Sequence, residues 1–254
     1  MIKSSRSYHT LKEQIQLSLD FVLLCCHSVP ALKGYIKAVE KGKAPKIPDP
    51  DFFKSATGHS RLKQIMPNYR KTMGRFLVLS SFSYFESYIS DIIEESFFIN
   101  GGSAEFLNAS RNKRNDHFVD ITSLNEKAKK LREKKDKSKS EKYRKTINEL
   151  KRLNYRFPSE LFAFYGLFQL QEKLGNMRAV DIPDIMENAF GVNITTDERG
   201  EFNRIRELRN NIAHGKIIEV DLSEAIQIND FLKKLAIKVD QHIIRNFFVI
   251  ESAT

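Results

Sequence analysis

Tryptophan is absent from this chain, and glycine and proline are scarce, at 11 and 7 of 254 residues. Strands need turns, and turns draw on Gly and Pro. With so few of both, and no run of short alternating segments, a β-sandwich or barrel is excluded and the chain reads as all-α. No glycine-rich phosphate loop occurs, which removes the nucleotide-binding folds built on one. The two cysteines, Cys25 and Cys26, are adjacent. They lack a CxxC partner and a histidine at ligand spacing, so buried thiols in a reducing compartment are expected rather than a disulfide or a metal site. The apolar run from Leu17 to Val29 contains Asp20 and His27 and is too short to cross a bilayer. Neither does it have the flanks of a signal peptide. A soluble cytosolic protein with no membrane partner is expected.

What the chain does have is phenylalanine, 19 residues within a 41% hydrophobic composition, enough to fill a core. It also has an excess of positive charge, +10 overall, that is unevenly placed. Between Lys127 and Arg152 thirteen Lys or Arg face only four acids, a local balance of +9. The rest of the chain is close to neutral. Leu124, Ala128 and Leu131 begin an amphipathic pattern that lapses over KKDKSKS and resumes at Tyr143, Ile147 and Leu150, as two helical arms around a polar tip would. Such a segment is either a solvated face or an attractor of phosphates, with binding that weakens steeply with salt. Tyr143 is its single aromatic, so base stacking is poorly provided for.

Periodicity outlines the other elements. A first helix is expected from about Ser7 to His27, with Leu11, Ile15, Leu19, Val22 and Cys26 on one side. Pro30 should interrupt it before a second short helix to about Lys41. Lys41 to Phe53 holds three prolines and reads as a linker. A long helix from about Pro67 to Ile99 follows, with Tyr69, Met73, Phe76, Leu77, Tyr84, Tyr88 and Ile92 on its core face, stopped by Asn100-Gly101-Gly102. Pro158 opens a strongly apolar helix, and a shorter one spans Ile182 to Phe190. Thr196 or Asp197 should cap the next. A last helix starts near Ser223 and Glu224, with Ile226, Phe231, Leu235, Val239, His242 and Ile243 as its buried stripe.

The chemistry concentrates in Arg209-Asn210-Asn211-Ile212-Ala213-His214-Gly215. Phe202, Ile205, Leu208, Ile212 and Ala213 recur at spacings of three and four, the mark of one buried helical stripe. At about 100° per residue Asn210 and His214 share a face, and Arg209 lies about 140° round from His214. Gly215 is a natural helix stop, which puts His214 at the C-terminal end. A cation, an amide and a titratable imidazole at one helix end suit the handling of a phosphate. The same residues also make a plain cap, with His214 on a carbonyl and Arg209 paired to a carboxylate. Arg206 lies one turn before Asn210 and either widens the phosphate site or sits idle on the surface. Glu86, among aromatics in SYFESYIS, needs a partner if buried. His9, His27, His59, His117 and His242 are scattered, and His242 reads as a core residue. No metal and no cofactor are expected.

RNNIAH, preceded by FSYFESYISDIIEESF and followed by a long amphipathic helix, resembles the HEPN superfamily of helical RNases and RNA-binding domains. The signature there is Arg, a polar residue, three to five residues and His. The likeness covers roughly residues 60 to 250 and is greatest to the branch that includes the RiboL-PSP group and an MAE-type group, both similar to toxin and phage-defence nucleases. It implies a HEPN-like helical bundle over 60–250, an N-terminal helical extension over 1–45 and a basic helical insertion over about 124–153. The activity implied is metal-independent endoribonuclease chemistry, leaving 2′,3′-cyclic phosphate and 5′-OH ends. Arg209 would face the phosphate, His214 transfer protons, Asn210 orient His214 or the phosphate, and Glu86 approach Arg209. RNA, tRNA included, would be held by Arg206 and by Lys129, Lys130, Arg132, Lys134, Lys135, Lys142, Arg144 and Lys145. The resemblance further implies a homodimer with a composite active site and allows an antitoxin or regulatory partner. A non-catalytic RNA-binding module and a helical protein-interaction domain remain open beside it.

Overall fold

The computed structural model describes residues 3–47, 59–106, 170–216 and 219–248, and among these there are helices and no strand. The chain is all-α. The principal elements are α1 (Arg6–Glu40), α2 (His59–Ile65), α3 (Tyr69–Ile99), α4 (Thr196–Ala213) and α5 (Leu222–Asn246). Short helical turns link Ala179 to Ala189. The basic segment with all eight of its named cations, His117 and most of the helix opened by Pro158 lie outside the described residues.

Helix α3 is the axis of the bundle, with α1, α4 and α5 all packed on it. Its buried residues include Leu77, Val78, Phe82, Phe85, Tyr88, Ile89, Ile92 and Ile93, too many sides for a single amphipathic stripe. This corrects the expected core face. Phe76 is exposed, and Tyr69, Met73 and Tyr84 are only partly buried. The rings of Phe82 and Phe85 meet Phe202 of α4 at 5.5 and 5.9 Å between centroids. Ser81 donates to Asn229 of α5 at 2.9 Å, and the Tyr88 hydroxyl to the Ala236 carbonyl at 3.3 Å. The stripe of α5 is Ala225, Ile228, Leu232, Leu235, Ala236, Val239 and Ile243. Ile226 is therefore outside it, and His242 is half-buried with Nε2 2.8 Å from the Phe190 carbonyl.

Pro30 does not end α1, which runs unbroken for 35 residues. A proline inside a helix forfeits one hydrogen bond and costs about 3 kcal/mol. Packing on both sides of it, through Leu11, Ile15 and Val22 before and Ile36 after, outweighs that cost. The unbroken helix is long and apolar enough to cross a membrane by length and composition alone, contrary to the reading of Leu17 to Val29 as too short. Here it lies along α3 instead, with its N-terminus tied into the bundle. Ser5 caps the helix through its hydroxyl, which accepts from the Tyr8 amide at 2.9 Å. The amides of Arg6 and Ser7 donate to Glu95 of α3 at 2.9 and 2.8 Å, and Ser5 donates to Asp240 of α5. Two carboxylates thus satisfy amides that a helix start leaves open, where the helix dipole favours negative charge. Burial nevertheless pushes the Asp240 carboxyl up, against its bonds from Ser5. Cys25 and Cys26 are free and half-buried rather than buried, and burial pushes the Cys25 thiol up.

One close approach fixes how the chain leaves the RNNIAH segment. Gly74 of α3 sits against the backbone entering α5, where a Cβ would come within 2.5 Å of the Val220 carbonyl oxygen and 3.2 Å of Asp221. Only glycine fits there. Gly74→Ala is expected to destabilise the protein by about 1–3 kcal/mol. A thermal melt should show this as a loss of about 2–4 °C per kcal/mol; an unchanged melting temperature would mean that the contact is loose.

Candidate functional site

Helix α4 begins one or two residues earlier than expected, because Thr195 and Glu198 form a capping box. The Thr195 hydroxyl accepts from the Glu198 amide at 3.1 Å, and the Glu198 carboxylate accepts from the Thr195 amide at 2.8 Å. The same carboxylate meets Lys238 of α5 at 2.7 Å, which holds Glu198 below the usual carboxylate range. Phe202 and Ile205 are fully buried against α3, while Leu208 and Ile212 are partly buried and Ala213 is exposed. The buried stripe of α4 therefore fades toward its C-terminus. That end is where the polar residues gather.

The helix closes in a Schellman arrangement. The Gly215 amide donates to the Ile212 carbonyl and the Lys216 amide to the Asn211 carbonyl, both at 3.0 Å, with Gly215 at φ +74°. The left-handed residue is the glycine, so His214 is the C-cap and its side chain is exposed. Among the described residues nothing bonds the His214 ring.

Arg209 is held far more tightly. Its Nη2 donates to Glu86 Oε2 at 2.6 Å and its Nη1 to Asn210 Oδ1 at 2.9 Å. The guanidinium carbon stands 5.3 Å from the centre of the Phe82 ring. Both ends of the ion pair are mostly shielded, with side chains 26% and 22% exposed. Burial pushes the Glu86 carboxyl up and the Arg209 charge pulls it back, burial being the larger. A guanidinium carries five N–H donors. Three remain without a partner among the described residues, which leaves the cation fixed yet able to bind an anion.

The structure thus brings Glu86, Arg209 and Asn210 together and places His214 five residues on, about 7.5 Å along the helix axis. Asn210 turns its carbonyl to Arg209 rather than to His214, since a guanidinium accepts nothing. Arg206 is half-buried one turn earlier, with no ion pair among the described residues. Neighbouring Arg204 is committed to Glu201 and Glu224. Phe82 was not singled out in the sequence, although its spacing of four from Glu86 puts both on one face of α3. Among the described residues no three His, Cys, Asp or Glu side chains cluster as metal ligands would.

An all-helical bundle with an arginine, an amide and a histidine at one helix end is the arrangement of a HEPN-type domain. The RiboL-PSP-HEPN family model matches residues 54–245, and the chain belongs to that family. No curated protein and no solved structure matches it. Membership points to a ribonuclease or RNA-related role. It covers α2 to α4 and all but the last residue of α5, whereas the whole of α1 lies before the matched range.

The clasp on Arg209 has a measurable strength. A double-mutant cycle of Glu86→Ala and Arg209→Ala in urea should give a coupling of about 1–2 kcal/mol, within the range for contacting charged pairs. Additive effects of the two substitutions would show that Glu86 does not hold Arg209.

Proposed function

We propose that this protein is a metal-independent endoribonuclease whose catalytic groups are Arg209 and His214. The observation that carries the reading is the fixed Arg209 guanidinium, with free donors, close along the helix from an exposed histidine. In the reaction the ribose 2′-oxygen attacks the adjacent phosphorus and the bond to the 5′-oxygen breaks. The 2′-OH proton passes to a base, and the leaving 5′-oxygen takes a proton from an acid. The products are a 2′,3′-cyclic phosphate and a 5′-OH, with no net oxidation and no metal required. Histidine is suited to either proton step near neutral pH. A guanidinium matches two phosphate oxygens at once and stabilises the charge that develops on the phosphorane.

Within this scheme Glu86, Asn210 and Phe82 are positioning residues that act through Arg209. The Asn210 amide nitrogen stays available to a phosphate oxygen. Arg206 and the +9 segment, with Lys129, Lys130, Arg132, Lys134, Lys135, Lys142, Arg144 and Lys145, draw in the RNA backbone without reading sequence. One copy offers one histidine for two proton transfers, so the complete site takes its second histidine from another copy. The cytosol is the expected setting, with tRNA among the substrates. A toxin or phage-defence effector held in check by an antitoxin fits such a nuclease.

Cleavage of total tRNA and of an unstructured RNA in EDTA tests the reading. Wild type should cut both, and His214→Ala and Arg209→Ala should each lose about 100-fold or more. Salt-sensitive binding without cutting, unchanged by His214→Ala, would replace the nuclease with an RNA-binding module. Neither binding nor cutting would favour a protein-interaction domain.

A further inference from the structure

Near the start of α3, the C-terminal half of α1 meets α2 and the Met66–Asn68 turn around a cleft of about 590 Å³. Four cations line it, Lys33 and Lys37 from α1, Lys63 from α2 and Arg70 from α3, against one acid, Glu40. Glu40 is spent on Lys63 across the cleft, an ion pair that ties α2 to α1. Lys37 thereby loses the acid three residues along its own helix, and Lys33 lies one turn before it. Like charges at that spacing repel. Neither lysine has an ion pair among the described residues. A balance of +3 thus faces one cavity. General basicity of the chain does not account for this, because a second cleft on α1 is uncharged. That one, about 460 Å³ between Leu17, Phe21, Met73, Phe76 and Tyr84, has no charged side chain in its lining.

Between the cations the cleft is aliphatic, with Val29, Pro30, Ile36, Met66 and Pro67. Ile36 belongs to the buried core and anchors this floor, while the unbranched Met66 can adapt to what lies on it. Among the described residues no Asn, Gln, Ser or Thr lines the cleft. Its one hydroxyl, on Tyr69, accepts from Arg70 Nε at 3.2 Å, and the Arg70 guanidinium carbon stands 5.9 Å from the centre of the same ring. A nucleobase or a sugar would therefore find little that reads its edges. A bare phosphate would leave the aliphatic floor wet. An anionic head on an aliphatic body satisfies both parts, and the volume falls within the range of about 300–1,000 Å³ usual for small-molecule sites.

We propose that this cleft binds a small amphiphilic anion, its phosphate or carboxylate head among Lys33, Lys37 and Arg70 and its aliphatic body over Pro30, Ile36 and Met66. The site stands apart from the RNNIAH cluster. Arg70 precedes Phe82 by twelve residues, about 18 Å of helix. One wall of the cleft is α1, which lies wholly before the matched range of residues 54–245. The binding site is independent of whether the protein cuts RNA.

Titration calorimetry of the full chain with octyl phosphate and octanoate, below their micelle-forming concentrations, tests this. At least one should bind one to one and about tenfold or more tighter than butyl phosphate or butanoate, because the longer tail buries more methylenes. Inorganic phosphate and AMP should bind about tenfold or more weakly than the octyl ligand. Lys33→Gln combined with Lys37→Gln should keep its helical circular dichroism and lose about tenfold or more in affinity for that ligand. Lys46→Gln, outside the cleft, should leave the affinity unchanged. AMP binding as tightly as the octyl ligand would overturn the ligand class. Octyl-ligand binding indifferent to the paired lysine substitution would overturn the site, and failure of both octyl ligands to bind would overturn the proposal outright.

Discussion

A guanidinium cannot shed its proton, so once α4 packs on α3 the Arg209 charge must be met where it lies. Glu86 supplies the countercharge, Asn210 an acceptor and Phe82 a ring face. Glu86 and Phe82, both on α3, also lock the two helices in register. Phe82 lies 5.5 Å from the Phe202 ring, tilted to it, and 5.3 Å from the Arg209 guanidinium carbon, so the core contact and the site contact share a ring. Sliding α4 by one turn would leave both Glu86 and Arg209 shielded and unpaired, a costly state for either charge. The site is thus part of what aligns the bundle.

The same clasp explains how an ion pair that aligns two helices can leave a cation with donors to spare. Two of the five donors of Arg209 are spent on holding it, and they fix the plane of the rest. Preorganised charge of this kind needs no rearrangement when a phosphate arrives. His214 is treated differently, ending α4 on an exposed C-cap that the following left-handed glycine makes possible. The cation is rigid and the imidazole is open, a division of labour suited to charge stabilisation by one and proton transfer by the other. The close approach at Gly74 then holds the chain beyond His214 against α3.

Much of this was legible in the sequence, and the failures have physical causes. The helical class followed from composition, and the RNNIAH segment with Gly215 marked the helix end through glycine's tolerance of positive φ. Glu86 stood out as a carboxylate among aromatics, which burial must pair. Propensity misplaced the α4 cap, since Thr195, Thr196 and Asp197 all suit an N-cap and only the reach of Glu198 back to Thr195 decides among them. It also broke α1 at Pro30, because the packing of Val22 and Ile36 on either side is tertiary and leaves no local trace. The face of α3 was misread for the same reason. A helix enclosed on three sides has no single stripe, and its exposed Phe76 looks like any core residue. Nothing local announced that the Asn210 carbonyl would turn to Arg209.

The central claim is that a fixed cation and a histidine cut RNA by way of its own 2′-hydroxyl. The most direct measurement compares one oligoribonucleotide with the same sequence carrying 2′-O-methyl riboses, in EDTA, with the fragment ends identified by mass. The account predicts that the RNA is cut to 2′,3′-cyclic phosphate and 5′-OH ends while the methylated strand stays intact. Cleavage of the methylated strand, or fragments bearing 5′-phosphates, would contradict it.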